Sequence, residues 1–331
     1  MNPASIADQP GLVSRDHLEA LLAGVQRQVG DPRAGVFGPA SITWRINRES
    51  ALFLGAGRAA LLQLAHPWVA VAIAQHSQVM NKPIERFHNT FRIVFTAIFG
   101  SAGQALAAAR SLHTLHTNVR GELPSAVAGC SKGSHYEANV VPALRWVFAT
   151  LIESAVLAHD FVLPPLTDAE RAAYYAEATR LASLFGIPPS AMPADWDAFT
   201  SYIAQMCSSD ALGVDPRSRS MGHSILAGAG SWIHPPPWYR ALTAEWMPQR
   251  FRHEFGLELG ERERRSLTRA RRWLPHFYRS LPPSLRFTGP YHEACARLAN
   301  RRTGPLTRIS NRFWIGEAAM PFALQEQQLS S

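Results

Sequence analysis

The stretch IERFHNTFRIVFTAIFGSAGQALAAARSLHTLHTNVRG, residues 84–121, decides the fold of this chain. It predicts two mostly apolar helices joined at Gly100-Ser101. The first helix is expected to begin at Pro83, because proline favours the first turn of a helix. The second is expected to end near Gly121, because glycine commonly follows a helix end. A short turn makes two such helices antiparallel neighbours.

Few polar side chains interrupt these two helices. Arg86 and Thr90 lie four residues apart on the first helix and therefore share one face. His113 and His116 lie three residues apart on the second helix. Antiparallel packing would place Arg86, Thr90 and one histidine around the same buried pocket.

The rest of the chain also favours helices. Of its 331 residues, 47% are hydrophobic and 18% are charged, which is ample for a sizeable core. Segments of alternating apolar and polar residues between turn signals are almost absent. The sequence predicts an all-α protein with a single globular domain of ten or more helices. We assign residues 1–44 to an N-terminal helix and irregular lead, 45–302 to the main domain and 303–331 to a C-terminal tail.

The excess positive charge is concentrated in one segment. The chain has 33 Lys and Arg against 25 Asp and Glu, a net charge of +8. Residues 250–302 contain 13 arginines and 5 glutamates, which accounts for the whole excess. No nucleic-acid motif accompanies this charge, so we expect no nucleic-acid partner. The segment is typical of a solvated helix face, and peripheral contact with an anionic membrane is the alternative.

Cysteines and leader signals indicate a reducing compartment. Cys130, Cys207 and Cys295 are odd in number and far apart, which argues against a disulfide framework. The N-terminus has no basic start followed by an apolar run, so we expect no signal peptide. We also expect no window of 18 apolar residues that could span a membrane, since the best candidate, residues 51–74, is interrupted. A soluble, cytoplasmic protein is expected.

Thirteen histidines suggest a metal site, but most metal motifs are missing. A di-iron bundle needs two Glu-x-x-His motifs, and the sequence has one, Glu85 to His88. His113 and His116 lack an apparent third ligand, and no H-E-x-x-H zinc motif is present. A b-type haem needs only one imidazole within apolar helices, a role that His116 fits. A lone helix histidine is nevertheless more often a core residue.

Five blocks of sequence, in order, resemble the family of bacterial rubber oxygenases (latex clearing proteins) and the fungal oxygenase MpaB. They are GAGRAALLQLAHPWVAVAIAQHS (55–77), RFHNT (86–90), LHTLHTNVRG (112–121), RWVFATLIES (145–154) and RSLPPSLRFTGPYHEACAR (279–297). Together they cover roughly residues 45–300. Each block is weak alone, and the ordered set carries the resemblance.

The resemblance implies an all-helical oxygenase that binds haem b. His116, in Leu-His-Thr-Asn-Val-Arg, matches the axial ligand of the haem iron, and Arg86 and Thr90 match the pair on the opposite side, where dioxygen and substrate meet. Thr150 is similar to a further threonine near the haem. Characterised relatives use dioxygen to cleave carbon–carbon double bonds of polyisoprenoids or prenyl side chains. The expected substrate is therefore small and apolar, with isoprenoids as candidates.

One departure from the family pattern argues against rubber as the substrate of this chain. Rubber oxygenase has an acidic residue, proposed as a base, on the helix before the arginine, whereas no Asp or Glu occurs here between Glu49 and Glu85. His66, Gln75 and His76 are the polar candidates in its place. Two other functions stay open: a haem-binding sensor or carrier without turnover, and a non-haem helical protein that binds lipids. The sequence does not indicate the oligomeric state.

Overall fold

Helices form nearly all the secondary structure that the computed structural model describes, which covers residues 11–76, 83–229 and 234–321. This part of the chain contains sixteen α-helices, two short 3-10 helices (Ser50–Gly55 and Pro189–Ala191) and two strands, β1 (Arg120–Glu122) and β2 (His135–Glu137). The helices are α1 (Arg15–Arg27), α2 (Ile42–Asn47), α3 (Ala56–Leu64), α4 (Pro67–His76), α5 (Pro83–Phe99), α6 (Ala102–Thr117), α7 (Val141–Val162), α8 (Asp168–Leu184), α9 (Trp196–Ser208), α10 (Pro216–Ala227), α11 (Pro237–Trp246), α12 (Gln249–Glu254), α13 (Glu261–Ser280), α14 (Pro283–Arg286), α15 (Gly289–Leu298) and α16 (Pro305–Ile315). The prediction of a single all-α domain is confirmed.

The hairpin of α5 and α6 has the predicted connection. Ser101 begins α6 with a capping box: its hydroxyl accepts a hydrogen bond from the Gln104 amide at 3.3 Å, and the Gln104 side chain accepts one from the Ser101 amide at 2.8 Å. The predicted end of the helix near Gly121 was slightly too late. α6 ends at Thr117, because the chain then enters β1, which pairs antiparallel with β2.

A ladder of phenylalanine rings covers one face of α5. Neighbouring rings of the ladder lie 4.7 to 5.9 Å apart along Phe87, Phe91, Phe95 and Phe99. Phe53 packs against Phe91 at 4.5 Å and stacks on Trp314 of α16 at 4.2 Å. This ladder anchors α5 in the protein, and the helical spacing leaves Arg86 and Thr90 on a different face.

α16 lies within the segment that we assigned to the C-terminal tail, and it packs against α5. The His88 ring hydrogen-bonds the Phe313 carbonyl at 3.1 Å, and the Arg92 guanidinium donates to the Ile315 carbonyl at 3.0 Å. The first part of residues 303–331 therefore belongs to the helical body, whereas residues 322–331 lie outside the described part of the chain.

The central helix α7 corrects the expectation that the chain has no long apolar window. By length and composition alone it could cross a membrane, with a mean hydropathy of 1.5. Of that window, 56% is buried inside the protein, including Trp146 and Phe148. Burial of this kind is typical of the core helix of a globular domain.

Two further segments differ from the predicted helices. The apolar run of residues 51–64 predicts one buried helix, but its first part forms the 3-10 helix Ser50–Gly55. This 3-10 helix passes so close to α7 that a Cβ atom on Gly55 would overlap the Ser154 carbonyl oxygen. The sequence of residues 212–236 predicts mixed structure, whereas the chain forms α10 there. The Asp215 side chain caps α10 by accepting a hydrogen bond from the Ser218 amide at 2.6 Å.

Two buried ion pairs hold distant segments together. Arg58 of α3 pairs with Glu153 of α7, and it also donates to the Ser154 hydroxyl and the Trp246 carbonyl, each at 3.0 Å. Arg286 donates two hydrogen bonds to the Glu49 carboxylate, at 2.7 and 2.8 Å. The polar residues of these segments therefore have structural partners within the protein.

Candidate functional site

The structure brings two of the predicted site residues together at one end of the α5–α6 hairpin. Arg86 lies near the beginning of α5 and His116 near the end of α6, so antiparallel packing makes them neighbours. Arg86 is close enough for its positive charge to lower the pKa of His116. Arg86 and His116 are therefore neighbours, as the helical spacing predicted, and the buried pocket itself stays a prediction.

His116 is held as a neutral imidazole. Its side chain is half-buried, and burial among protein atoms, with smaller effects from His113 and Arg86, lowers its pKa to about 4. A hydrogen bond with the Asn139 side chain opposes this fall. Near pH 7 the ring is therefore unprotonated, which is the form that binds a metal.

Arg86 is half-buried, and this burial lowers the pKa of its guanidinium below the ordinary value. An arginine nevertheless stays charged in proteins. Thr90 lies one helical turn further along the same face of α5, and its side chain is exposed. The exposed position of Thr90 does not match the buried pocket that the sequence predicts around this residue.

Thr150 has a different environment from the other predicted site residues. It is almost fully buried on α7, where its hydroxyl donates to the Val147 carbonyl at 2.7 Å and accepts from the Gln63 amide nitrogen at 3.1 Å. These hydrogen bonds satisfy the hydroxyl within the core. A contact of Thr150 with a cofactor stays a prediction.

The two histidines of α6 are distinguished by their partners. The His113 ring is committed to the N-terminal segment, because its Nε2 hydrogen-bonds the Val13 carbonyl at 2.7 Å. His116 lies three residues further on, and its ring hydrogen-bonds the Asn139 side chain instead. The two rings therefore have different partners, and the choice of His116 as a ligand stays a prediction.

Asn139 is a residue of this site that sequence reasoning missed. It is buried, and its amide nitrogen donates to the His113 carbonyl at 3.0 Å and the Thr117 hydroxyl at 3.3 Å. It thereby holds the last turn of α6, on which His116 lies. Asn139 follows β2 in an irregular segment, where no local pattern marks it.

The residues considered in place of the missing acidic group lie in two settings. The Tyr136 hydroxyl donates to Gln75 at 2.5 Å and lies 3.1 Å from the His76 ring, so these three side chains form one polar cluster beside β1. His66 is fully buried, which lowers its pKa to about 4. Its Nδ1 atom has no hydrogen-bond partner among the described residues.

Protein ligands for a bare metal ion are not assembled in the described residues. Within residues 11–76, 83–229 and 234–321, no group of three or more His, Cys, Asp or Glu is placed to hold a metal ion. The single Glu-x-x-His sequence does not form such a group either, since His88 bonds the Phe313 carbonyl. A cofactor that needs one imidazole makes a smaller demand, which His116 meets.

Comparison with known families identifies the class of this chain. Residues 43–276 match the family described as "ER-bound oxygenase mpaB/B'/Rubber oxygenase, catalytic domain". The match covers more than half of the chain, and the chain therefore belongs to this family. The resemblance carried by the five sequence blocks is confirmed.

Two mycobacterial proteins are similar to this chain. An uncharacterized protein of Mycobacterium bovis and one of Mycobacterium tuberculosis are each 28% identical to it over 159 residues. The matched region is 47% of this chain and 59% of each relative, so the match spans little more than half the length of these relatives. No solved structure gives a significant match.

Proposed function

We propose that this protein is a haem-b oxygenase that acts on a small apolar substrate, in which His116 would hold the haem iron. Membership of an oxygenase family supports the reaction class. The observation that carries the proposal is the pairing of a neutral, half-buried His116 with the Arg86 cation at one end of the α5–α6 hairpin. Isoprenoid chains are the substrate class that the family suggests.

His116 meets the requirement of a b-type haem for one imidazole ligand. His116 supplies one neutral imidazole from a helix that is otherwise mostly apolar, and Asn139 secures the turn that carries it. A bound haem supplies the iron that activates dioxygen. The protein would supply the ligand from His116 and a positive charge from Arg86.

Arg86 and Thr90 are the proposed catalytic residues. The guanidinium of Arg86 stays charged and offers several N–H donors, so it stabilises negative charge that develops on a reacting oxygen atom. The Thr90 hydroxyl, one turn away on the same face, can donate or accept a hydrogen bond and so orients dioxygen or a water molecule. Both residues act from one rigid helix, which fixes their separation.

We place the protein in the cytoplasm, where its three free cysteines would stay reduced.

The absence of the acidic residue that rubber oxygenase has before the arginine supports a small prenyl compound rather than polymeric rubber as substrate. The Gln75–Tyr136–His76 cluster offers polar groups near β1 in place of a carboxylate.

The test is product formation from a prenyl-type substrate, measured per bound haem in air and under argon. We expect product in air alone, and activity that persists under argon would contradict an oxygenase. Haem binding without product in air would instead indicate a sensor or carrier. A colourless protein that binds lipids would support the non-haem alternative.

A further inference from the structure

α13 exposes an aromatic patch that the proposed active site does not use. Trp273 and Phe277 lie four residues apart on its outer face and are 45% and 52% exposed. Their rings pack edge to face at 5.7 Å, and Trp273 also meets Trp238 of α11 at 6.3 Å. Three large rings therefore form one continuous apolar surface. The opposite face of α13 packs against the protein through its buried residues Leu267, Ala270, Leu274 and Tyr278.

Cationic side chains surround this aromatic patch. α13 contains seven arginines and two glutamates. Two of these arginines have ion-pair partners: Arg265 pairs with Glu261, and Arg271 pairs with Glu245. Arg262, Arg269 and Arg272 are exposed and have no ion-pair partner among the described residues. Arg269 lies one turn before Trp273 on the same face, and Arg272 lies beside it.

We propose that the outer face of α13 docks onto an anionic lipid bilayer. Tryptophan and phenylalanine beside unpaired arginines are the composition of helices that lie in the membrane interface. The rings enter the boundary between headgroups and acyl chains, and the arginines bind lipid phosphates while their aliphatic stems cover the apolar edge. The excess of positive charge selects anionic over neutral lipid.

The geometry favours a membrane over a nucleic acid. Base stacking needs ring faces that are open to the bases. The edge of one ring meets the face of the next along Trp238, Trp273 and Phe277, with interplanar angles of 90° and 63°. Such a cluster suits insertion as one apolar unit.

The experiment is sedimentation of the full-length protein with vesicles of phosphatidylcholine alone or of phosphatidylcholine mixed with phosphatidylglycerol. We expect binding to the anionic vesicles that falls steeply with salt. The double variant Trp273→Ala/Phe277→Ala should weaken binding on the order of tenfold or more. Arg269→Glu/Arg272→Glu should weaken it at least as much.

A matched control changes the same charge elsewhere. Arg27→Glu/Arg217→Glu alters two exposed arginines on α1 and α10 and should bind anionic vesicles nearly as well as the wild type. Circular dichroism confirms that each variant is folded. Equal binding to neutral and anionic vesicles, or equal loss in the control, would overturn the proposal. Binding to anionic vesicles that a short oligonucleotide abolishes would also overturn it, if Trp273→Ala/Phe277→Ala still binds like the wild type.

Discussion

Arg58 and Arg86 are both arginines within apolar helices, yet their surroundings differ. Arg58 is 4% exposed and is bound by Glu153, Ser154 and the Trp246 carbonyl, so its charge is balanced by protein groups. Arg86 is half-buried beside His116, and burial lowers its pKa. An arginine in an apolar helix therefore holds α3 against α7 in one region and lies near His116 in the other.

Replacing Arg86 should produce the largest functional effect in this comparison. Arg86→Ala removes a fixed donor for charge that develops on oxygen, and losses on the order of 10²–10³ in rate are typical of such changes. Haem content should stay at the wild-type level, because His116 is untouched. Arg86→Lys should also be poor, since a point charge does not reproduce the planar guanidinium.

The measurement for Arg86 is product per haem in air, with Thr90→Ala assayed alongside. Thr90→Ala should likewise keep haem and lose most of the activity. Full activity in Arg86→Ala would remove the catalytic role proposed for this residue while leaving the haem assignment intact.

Replacing Arg58 should affect folding rather than chemistry. Arg58→Ala leaves the Glu153 carboxylate without its partner, and breaking a buried pair in this way costs about 3–5 kcal/mol. Urea denaturation should show this loss, whereas Arg58→Met/Glu153→Gln should recover much of the stability because it removes both charges. A stable Arg58→Ala protein that lacks activity would contradict the structural role.

The sequence predicted those features of the fold that have local causes. Pro83 marked the beginning of α5, and Gly100-Ser101 marked the turn between α5 and α6. Local signals do not distinguish the 3-10 helix at Ser50–Gly55 from an α-helix, because it depends on close approach to α7. The pairing of Glu49 with Arg286, 237 residues away, likewise has no local signal.

The candidate site was predictable to a similar extent. Helical spacing and a short turn were enough to bring Arg86 and His116 together. The role of Asn139 and the commitment of His113 to Val13 depend on tertiary contacts, so residue spacing could not separate the two histidines. For that assignment the sequence relied on family resemblance.

The buried His66 should make stability depend on pH. Its folded-state pKa is about 4 against an ordinary value of 6.5, so the unfolded chain takes up a proton first as the pH falls. Its contribution is complete above pH 6.5 and is lost as the pH falls toward 4. Between pH 7 and pH 5 this single group should lower the free energy of unfolding by about 2 kcal/mol.

Denaturation curves at pH 7 and pH 5 test this dependence. The glutamine of His66→Gln does not titrate. The difference between its free energies of unfolding at pH 7 and pH 5 should therefore be about 2 kcal/mol smaller than in the wild type, whatever the absolute stability of the variant. His17→Gln, at an exposed position on α1, serves as the control and should leave the difference unchanged. An unchanged difference in His66→Gln would show that other groups cause the pH dependence.

Thr150→Val should have the smallest effect. The hydroxyl is bonded to Val147 and Gln63 within the core, so its removal should cost about 1 kcal/mol of stability and leave Gln63 without an acceptor. We expect the haem spectrum to stay unchanged. A shifted spectrum would instead place Thr150 in the cofactor site, as the family resemblance suggested.

The absorption spectrum of the purified protein tests the central claim most directly. Oxidised protein, and reduced protein with carbon monoxide, should show the Soret bands of haem b in the wild type and in His113→Ala. His116→Ala should lose the haem and keep its helical circular dichroism, because alanine is favourable in a helix. A His116→Ala protein that binds haem like the wild type, while His113→Ala is colourless, would contradict the assignment.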